Sequence, residues 1–205
     1  MYPEYVAQCD AACFSPGPLT GGEGAAGAVM RTAEGVKQLR KIAGADCPVC
    51  AVLDVPAAPA DPAVIRAAAW AAIIRRASGL VYRFADAPPD GDHAALRDAL
   101  AALNGRIADL APAILADTPL GELAMSMADE SACHVKATRH DGAVYVFAQR
   151  FAGKGEPARA SITVAGARAG MTVEVVGEGR TITAVDGGFS DEFAPLAEHV
   201  YRLKP

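Results

Sequence analysis

Few residues in this chain have types and spacings that suggest chemistry. Three aspartates, Asp10, Asp54 and Asp86, stand at or just beyond the ends of strand-like runs at residues 5–9, 47–53 and 80–84. Aspartates also end strands and cap helices with no further role. Four of the five cysteines form two close pairs, Cys9-x3-Cys13 and Cys47-x2-Cys50. That spacing fits a four-thiolate zinc site. The surroundings argue instead for reduced, buried thiols. Cys47-Pro48-Val49-Cys50-Ala51-Val52-Leu53 reads as a buried strand, and in a strand residues three apart point to opposite faces. An odd cysteine total suggests a reducing compartment. His134, His140 and Asp141 gather at one turn, where a metal is conceivable but solvent-facing histidines are the ordinary finding. Trp70 and Tyr82 are the aromatic residues that suit sugar stacking, although Trp70 lies on the apolar side of a helix and reads more readily as core.

The elements that must position these residues follow from periodicity. Val29, Ala33, Val36, Leu39 and Ala43 recur at three- and four-residue steps and predict a helix over 25–43, with Gly44 as its stop. Asp61 followed by Pro62 marks a helix start, and that helix is expected to run to about residue 77. A third helix is expected over 93–110, ended or kinked at Ala111-Pro112. Between them lie the strand-like runs, so residues 1–117 read as a partial α/β unit of about three strands and three helices. From residue 118 the pattern changes to alternating strands. Residues 134–139 and 143–150 flank His140-Asp141-Gly142, a hairpin signal. Further strands are expected over 160–164, 172–176, 180–184 and 199–203, with Phe189 and Phe193 packing the C-terminal segment onto the core. Such spacing predicts an antiparallel β-sandwich over 118–205.

Composition bounds the function. The chain has 205 residues, is 52% hydrophobic, and carries a net charge of −5. Much of the apolar content is alanine, which favours helix and buries little area. No Lys/Arg cluster is present, which argues against nucleic acid as a partner. No apolar run approaches the roughly 20 residues of a membrane span, and the N-terminus has no signal-peptide pattern. The expected location is the cytoplasm or the interior or surface of a larger particle. Neither cofactor nor metal is expected.

Three stretches carry a family resemblance. Asp61-Pro62-Ala63-Val64-Ile65-Arg66 through Trp70, followed by Gly79-Leu80-Val81-Tyr82-Arg83-Phe84, is similar to the helix-seven to strand-eight segment of (β/α)8-barrel glycoside hydrolases. Leu100 to Pro112 resembles their last barrel helix, and the Asp- and Phe-rich tail closing on Val200-Tyr201-Arg202 resembles the final strands of their C-terminal β-sandwich. The resemblance implies a truncated barrel, with residues 6–9, 47–53 and 80–84 as strands six, seven and eight. It places an active site at their C-terminal ends. Retaining members carry a nucleophile and an acid/base about 5–5.5 Å apart. The family's strand-seven nucleophile is a Glu, where this chain has Asp54, and the strand-four acid/base has no counterpart. Asp54 is therefore the catalytic candidate, and Asp10, Asp86, Tyr82 and Trp70 are the carbohydrate-binding candidates.

Three strands cannot close an eight-stranded barrel, and their edges would expose unpaired backbone groups. The first expectation is a non-catalytic structural or binding subunit derived from a glycoside hydrolase. It would dock onto a larger assembly, such as a virion surface, through the α/β unit, either to other subunits or to copies of itself. The alternatives are the C-terminal part of a split glycoside hydrolase and a carbohydrate-binding module with a glycan as partner.

Overall fold

The computed structural model describes residues 2–6, 8–19, 24–56, 61–85, 94–116, 121–151 and 155–204. The chain divides into two compact units, Met1–Asp109 and Leu110–Pro205.

The first unit is built on three parallel strands, β1 (Ala12–Phe14), β2 (Val49–Val55) and β3 (Gly79–Phe84), in the order β1-β2-β3. Helices connect them. α1 (Tyr2–Val6) precedes β1, α2 (Gly24–Ala43) joins β1 to β2, and α3 (Pro62–Ile74) joins β2 to β3. α4 (Ala94–Leu115) follows β3 and runs into the second unit. The expected strand over 5–9 is corrected here. Residues 2–6 are helical, with Pro3 suited to a first turn and Glu4 favourable near the positive N-terminal end of the helix. The first strand lies later, at Ala12–Phe14, in register with Val49, Cys50 and Ala51.

Local chemistry explains the helix ends. The Asp61 side chain accepts from the Ala63 amide at 2.9 Å, and Pro62 occupies the first turn. α3 then stops at Arg75, and Arg76 turns the chain with a positive φ of 71°. The helix is buried almost all round, from Val64 to Ile74 with Arg66 as the exception. Its alanines let α2 and β2 approach closely. On α2 the buried stripe is Ala28, Val29, Thr32, Ala33 and Val36. Gly35 on the same helix stands against β1, and a Cβ there would lie 1.9 Å from the Phe14 ring. Arg40 ties two turns together by donating to the carbonyls of Cys47 and Arg76 at 2.8 Å each and to Ser78 Oγ at 3.0 Å.

Among the described residues, the parallel strands are covered on one face only. Val49, Ala51, Leu53 and Val55 of β2 are buried, with at most 1% exposure. The intervening Cys50 and Val52 are half-exposed. The register partner of Val52 on β3, Val81, is 46% exposed. A parallel sheet normally has helices on both faces. The expectation of buried cysteines fails, at Cys13 and Cys50 because they lie on this open face. Cys9 and Cys13 are exposed, and Cys47, Cys50 and Cys133 are intermediate.

In the second unit α4 continues through Pro112 rather than ending there. Pro112 deprives the helix of one backbone hydrogen bond. The turn beyond it is held by β5 (Cys133–His140), whose Thr138 hydroxyl donates to the Ala113 carbonyl and whose Lys136 ammonium donates to that of Ile114, at 2.7 Å each. The unit contains two antiparallel sheets. One has the order β10-β7-β4, with β4 (Leu123–Met127), β7 (Ala158–Val164) and β10 (Gly188–Phe193). The other has the order β5-β6-β11-β8-β9, with β6 (Ala143–Arg150), β8 (Thr172–Val175), β9 (Arg180–Thr183) and β11 (Glu198–Leu203). β4 and β10 were not individually legible in the sequence. The β5–β6 hairpin turns at Asp141 and Gly142, both with positive φ, as the Asp-Gly pair requires. Both sheets contribute to one core, including Ile162 and Phe193 from the first and Val146, Val173 and Tyr201 from the second. Phe189 and Phe193 are buried in it.

Two charged residues anchor this unit. Arg150 is 2% exposed. It donates to the carbonyls of Glu156 and Phe193 at 2.9 and 3.0 Å, to Ser131 Oγ at 3.0 Å and to Asp129 at 2.5 Å. Asp191 accepts two bonds from Arg180, at 2.9 and 2.7 Å, one from the Glu192 amide and one from the buried Tyr201 hydroxyl. Burial opposes ionisation of Asp191, but the bonds from Arg180, Glu192 and Tyr201 outweigh it and hold the carboxyl below its usual range.

Three stability outcomes follow. Gly35→Ala, which in an ordinary helix stabilises by about 1 kcal/mol, lowers the melting temperature here because its methyl meets Phe14. Arg150→Met destabilises by about 3 kcal/mol in urea unfolding, since it strips the buried Phe193 carbonyl of its donor and leaves Asp129 without its arginine. The folded Asp191 carboxyl lies below its unfolded value of about 3.9, so its contribution is present above that pH and disappears as pH falls through the folded value. Denaturant titrations from neutral pH downward show this acid loss, and Asp191→Asn flattens it.

Candidate functional site

The candidate site lies at the C-terminal edge of the parallel sheet. There β2 ends in Asp54-Val55, and the register sets Asp54 beside Arg83 of β3. The segment after β1 continues along the other side, where Pro18 bridges to Asp54 and the Leu19 amide donates to the Asp54 carbonyl at 3.2 Å. Ser15, one residue past β1, completes the group.

Asp54 alternates with the buried Leu53 and Val55, so its carboxylate lies on the open face. The Arg83 guanidinium grips both of its oxygens, Nε to Oδ1 at 2.5 Å and Nη2 to Oδ2 at 2.7 Å. Ser15 Oγ donates to Oδ2 at 2.7 Å and lies 3.2 Å from Arg83 Nη2. The Asp54 side chain is 11% exposed and that of Arg83 is 62% exposed. A bidentate arginine pair of this kind fixes geometry. With one partner largely in solvent, it contributes about 1 kcal/mol or less. Chemically the arrangement is an ion pair in which both carboxylate oxygens accept hydrogen bonds. Among the described residues, no three His, Cys, Asp or Glu side chains converge to hold a metal ion.

The other sequence candidates do not join Asp54. Asp10 was expected at the C-terminal end of a strand. It sits instead in an exposed bend before β1, at the opposite end of the sheet, because the strand begins at Ala12. Asp86 lies outside the described residues. Tyr82 is on β3 but on the other face from Arg83. Its hydroxyl donates to Asn104 of α4 at 2.9 Å, and burial pushes its pKa up to about 12. Trp70 is fully buried in α3, with the Arg106 guanidinium 5.3 Å from its ring centroid, so it has no face to offer a sugar. It belongs to the core, where an indole on the apolar side of a helix packs best. His134 and His140 face different partners, Phe151 and Tyr145. Sequence reasoning missed Ser15 and Arg83. The signal for Arg83 was its alternation with Tyr82 and Phe84, which places it on the face opposite to theirs.

No family model matches the sequence, and no curated protein matches it either. Solved structures do match in fold. A variant of AmyP in complex with maltotriose superposes at a TM-score of 0.53, with 13% identity over 84% of this chain and 44% of that one. A noncanonic maltogenic α-amylase, AmyB from Thermotoga neapolitana, gives a TM-score of 0.54 at 7% identity, covering 85% of this chain and 46% of that one. The α-amylase GTA from Geobacillus thermoleovorans, complexed with acarbose, gives 0.50 at 9% identity, covering 86% and 57%. The chain thus spans about half the length of the structures it matches, and at such low identity the likeness is one of fold: a mixed helix and sheet chain similar to part of an α-amylase.

Proposed function

We propose that this chain is a non-catalytic structural or binding subunit derived from a glycoside hydrolase, corresponding to the last strands of a barrel and a following β-sandwich. It docks onto a larger assembly through the open face of its parallel sheet. The observation that carries this reading is the exposure of Cys13, Val81 and Arg83 on the face of β1–β3 away from the buried side chains of β2. In a closed barrel the corresponding face lies inside and is filled by side chains from the remaining strands. A surface of this kind favours a polypeptide partner, either another subunit or a second copy. A particle or virion surface is a setting where such a module serves.

The engagement of Asp54 supports the non-catalytic side of the reading. A nucleophile or general acid/base needs an oxygen free to meet substrate. Both Asp54 oxygens accept from Arg83 or Ser15 instead. A second reading, the C-terminal part of a split glycoside hydrolase, is favoured by the fold likeness to α-amylases. A carbohydrate-binding module is the third. It has less in its favour, since Trp70 is buried and Tyr82 is tied to Asn104.

Two experiments separate these readings. Light scattering on the purified chain gives a mass above that of the monomer, or of a complex once its partner is supplied. Val81→Glu, an exposed substitution that leaves the melting temperature unchanged, abolishes that association. A chain that stays monomeric, and whose behaviour Val81→Glu does not alter, overturns the docking role. In the second experiment the chain alone releases no reducing sugar from an α-glucan. Hydrolysis that disappears in Asp54→Ala would establish the enzyme reading in its place.

A further inference from the structure

The thiols of Cys13 and Cys50 face each other on the open side of the parallel sheet, and neither the ion pair nor the core uses them. The two residues are Cα partners in the register of β1 with β2. Neighbouring strands lie about 4.7–4.9 Å apart, within the roughly 4.4–6.8 Å Cα separation that a disulfide spans. Register partners project from the same face, so both Cβ atoms point the same way, and the Cys13 side chain lies beside that of Cys50. Cys13 is exposed at the centre of an edge strand, and Cys50 is half-buried. On the far side of Cys50 stands Gly79, where a Cβ would lie 3.0 Å from the Cys50 sulfur, so the glycine leaves that sulfur its room. Cys9 and Cys47 form a poorer pair, because the Cys47 sulfur is directed at the Cys9 carbonyl, 3.8 Å away.

We propose that Cys13 and Cys50 form a dithiol that a peroxide oxidises reversibly to a disulfide, pinning the edge strand β1 to β2. The Cys13 thiolate attacks one oxygen of hydrogen peroxide. The O–O bond breaks and the departing hydroxide takes up a proton, leaving a sulfenic acid on Cys13 and one water. The Cys50 sulfur then attacks that of Cys13. The S–S bond forms, the S–OH bond breaks, and hydroxide leaves as a second water with the Cys50 proton. The two sulfurs lose two electrons, and the peroxide oxygens gain them. Exposure sets the order. Cys13 is open to the peroxide while Cys50 is half-buried, and burial, with Cys13 alongside, raises the Cys50 thiol, so attack begins at Cys13. A thiol reductant reverses the link by exchange. The effect on the fold is local. β1 has only three residues and, among the described residues, pairs with β2 alone, and the cross-link adds a covalent tie to that slender attachment. Ser15, which follows β1, is then held against Asp54 and Arg83 whichever reading of the open face holds.

Treating the full chain with a slight molar excess of hydrogen peroxide, followed by alkylation, intact-mass measurement and peptide mapping, tests this. Of the five thiols present, two are lost. The map links the peptides containing Cys13 and Cys50, and dithiothreitol restores both thiols. Cys13→Ser, an exposed change that keeps the fold, abolishes the paired loss, and Cys50→Ser does the same. The linked chain melts at a higher temperature than the reduced one. Three results would each overturn the proposal: a Cys9–Cys47 link, a link between Cys13 residues of two molecules, or sulfinic acid accumulating on Cys13 without a cross-link.

Discussion

The first unit depends on how its three parallel strands are covered. A β-pleat sends successive side chains to opposite faces. Helices and strand therefore share one set of residues, and the alternate set is left to whatever lies beyond. In β2 the packed set is Val49, Ala51, Leu53 and Val55, and the alternate set is Cys50, Val52 and Asp54. The parallel register carries this division sideways without a slip, so Cys13 joins Cys50, Val81 joins Val52, and Arg83 joins Asp54. Every chemically interesting group of this unit lies where it does because of that alternation. Tyr82 was drawn to the helices by the same rule, one residue away from Arg83.

Charge placement shows a second regularity. Cations that lose water are given several oxygens at once. Arg150 bonds two carbonyls, a hydroxyl and a carboxylate, and Arg40 bonds the carbonyls of two turns. Each guanidinium thus joins segments that are distant in sequence, and its planar fork suits that use. Asp54 and Asp191 look alike in this respect, since each is held by an arginine and a hydroxyl, yet their surroundings differ. Asp191 lies beside the buried Tyr201, where its carboxylate is part of the packing. Asp54 lies at the rim of an open sheet, with Arg83 largely in water. Both Asp54 oxygens accept hydrogen bonds there, from Arg83 or Ser15.

Much of this was legible along the chain, and the limits have physical causes. Asp61-Pro62 announced α3 because an N-cap and a first-turn proline act within a few residues of each other. Asp141-Gly142 announced its hairpin because two positive φ values are a local demand. The burial of Trp70, Phe189 and Phe193 followed from apolar area alone. The first strand was misplaced because residues 5–9 and 12–14 are similarly apolar, and pairing with Val49–Ala51 decided between them. α4 passed Pro112 because Lys136 and Thr138, more than twenty residues onward, supply donors to its last carbonyls.

Residue order was enough to mark the starts and apolar faces of α2 and α3, and the run of antiparallel strands after the α/β segment. Such features arise from interactions within a turn or two of chain. Folding was needed to leave one side of the parallel sheet open among the described residues, to close Ser15 and Arg83 around Asp54, and to bring Cys13 beside Cys50. Strand register and the layer above a sheet are set by residues dozens of positions apart, and no local pattern records which of them will meet.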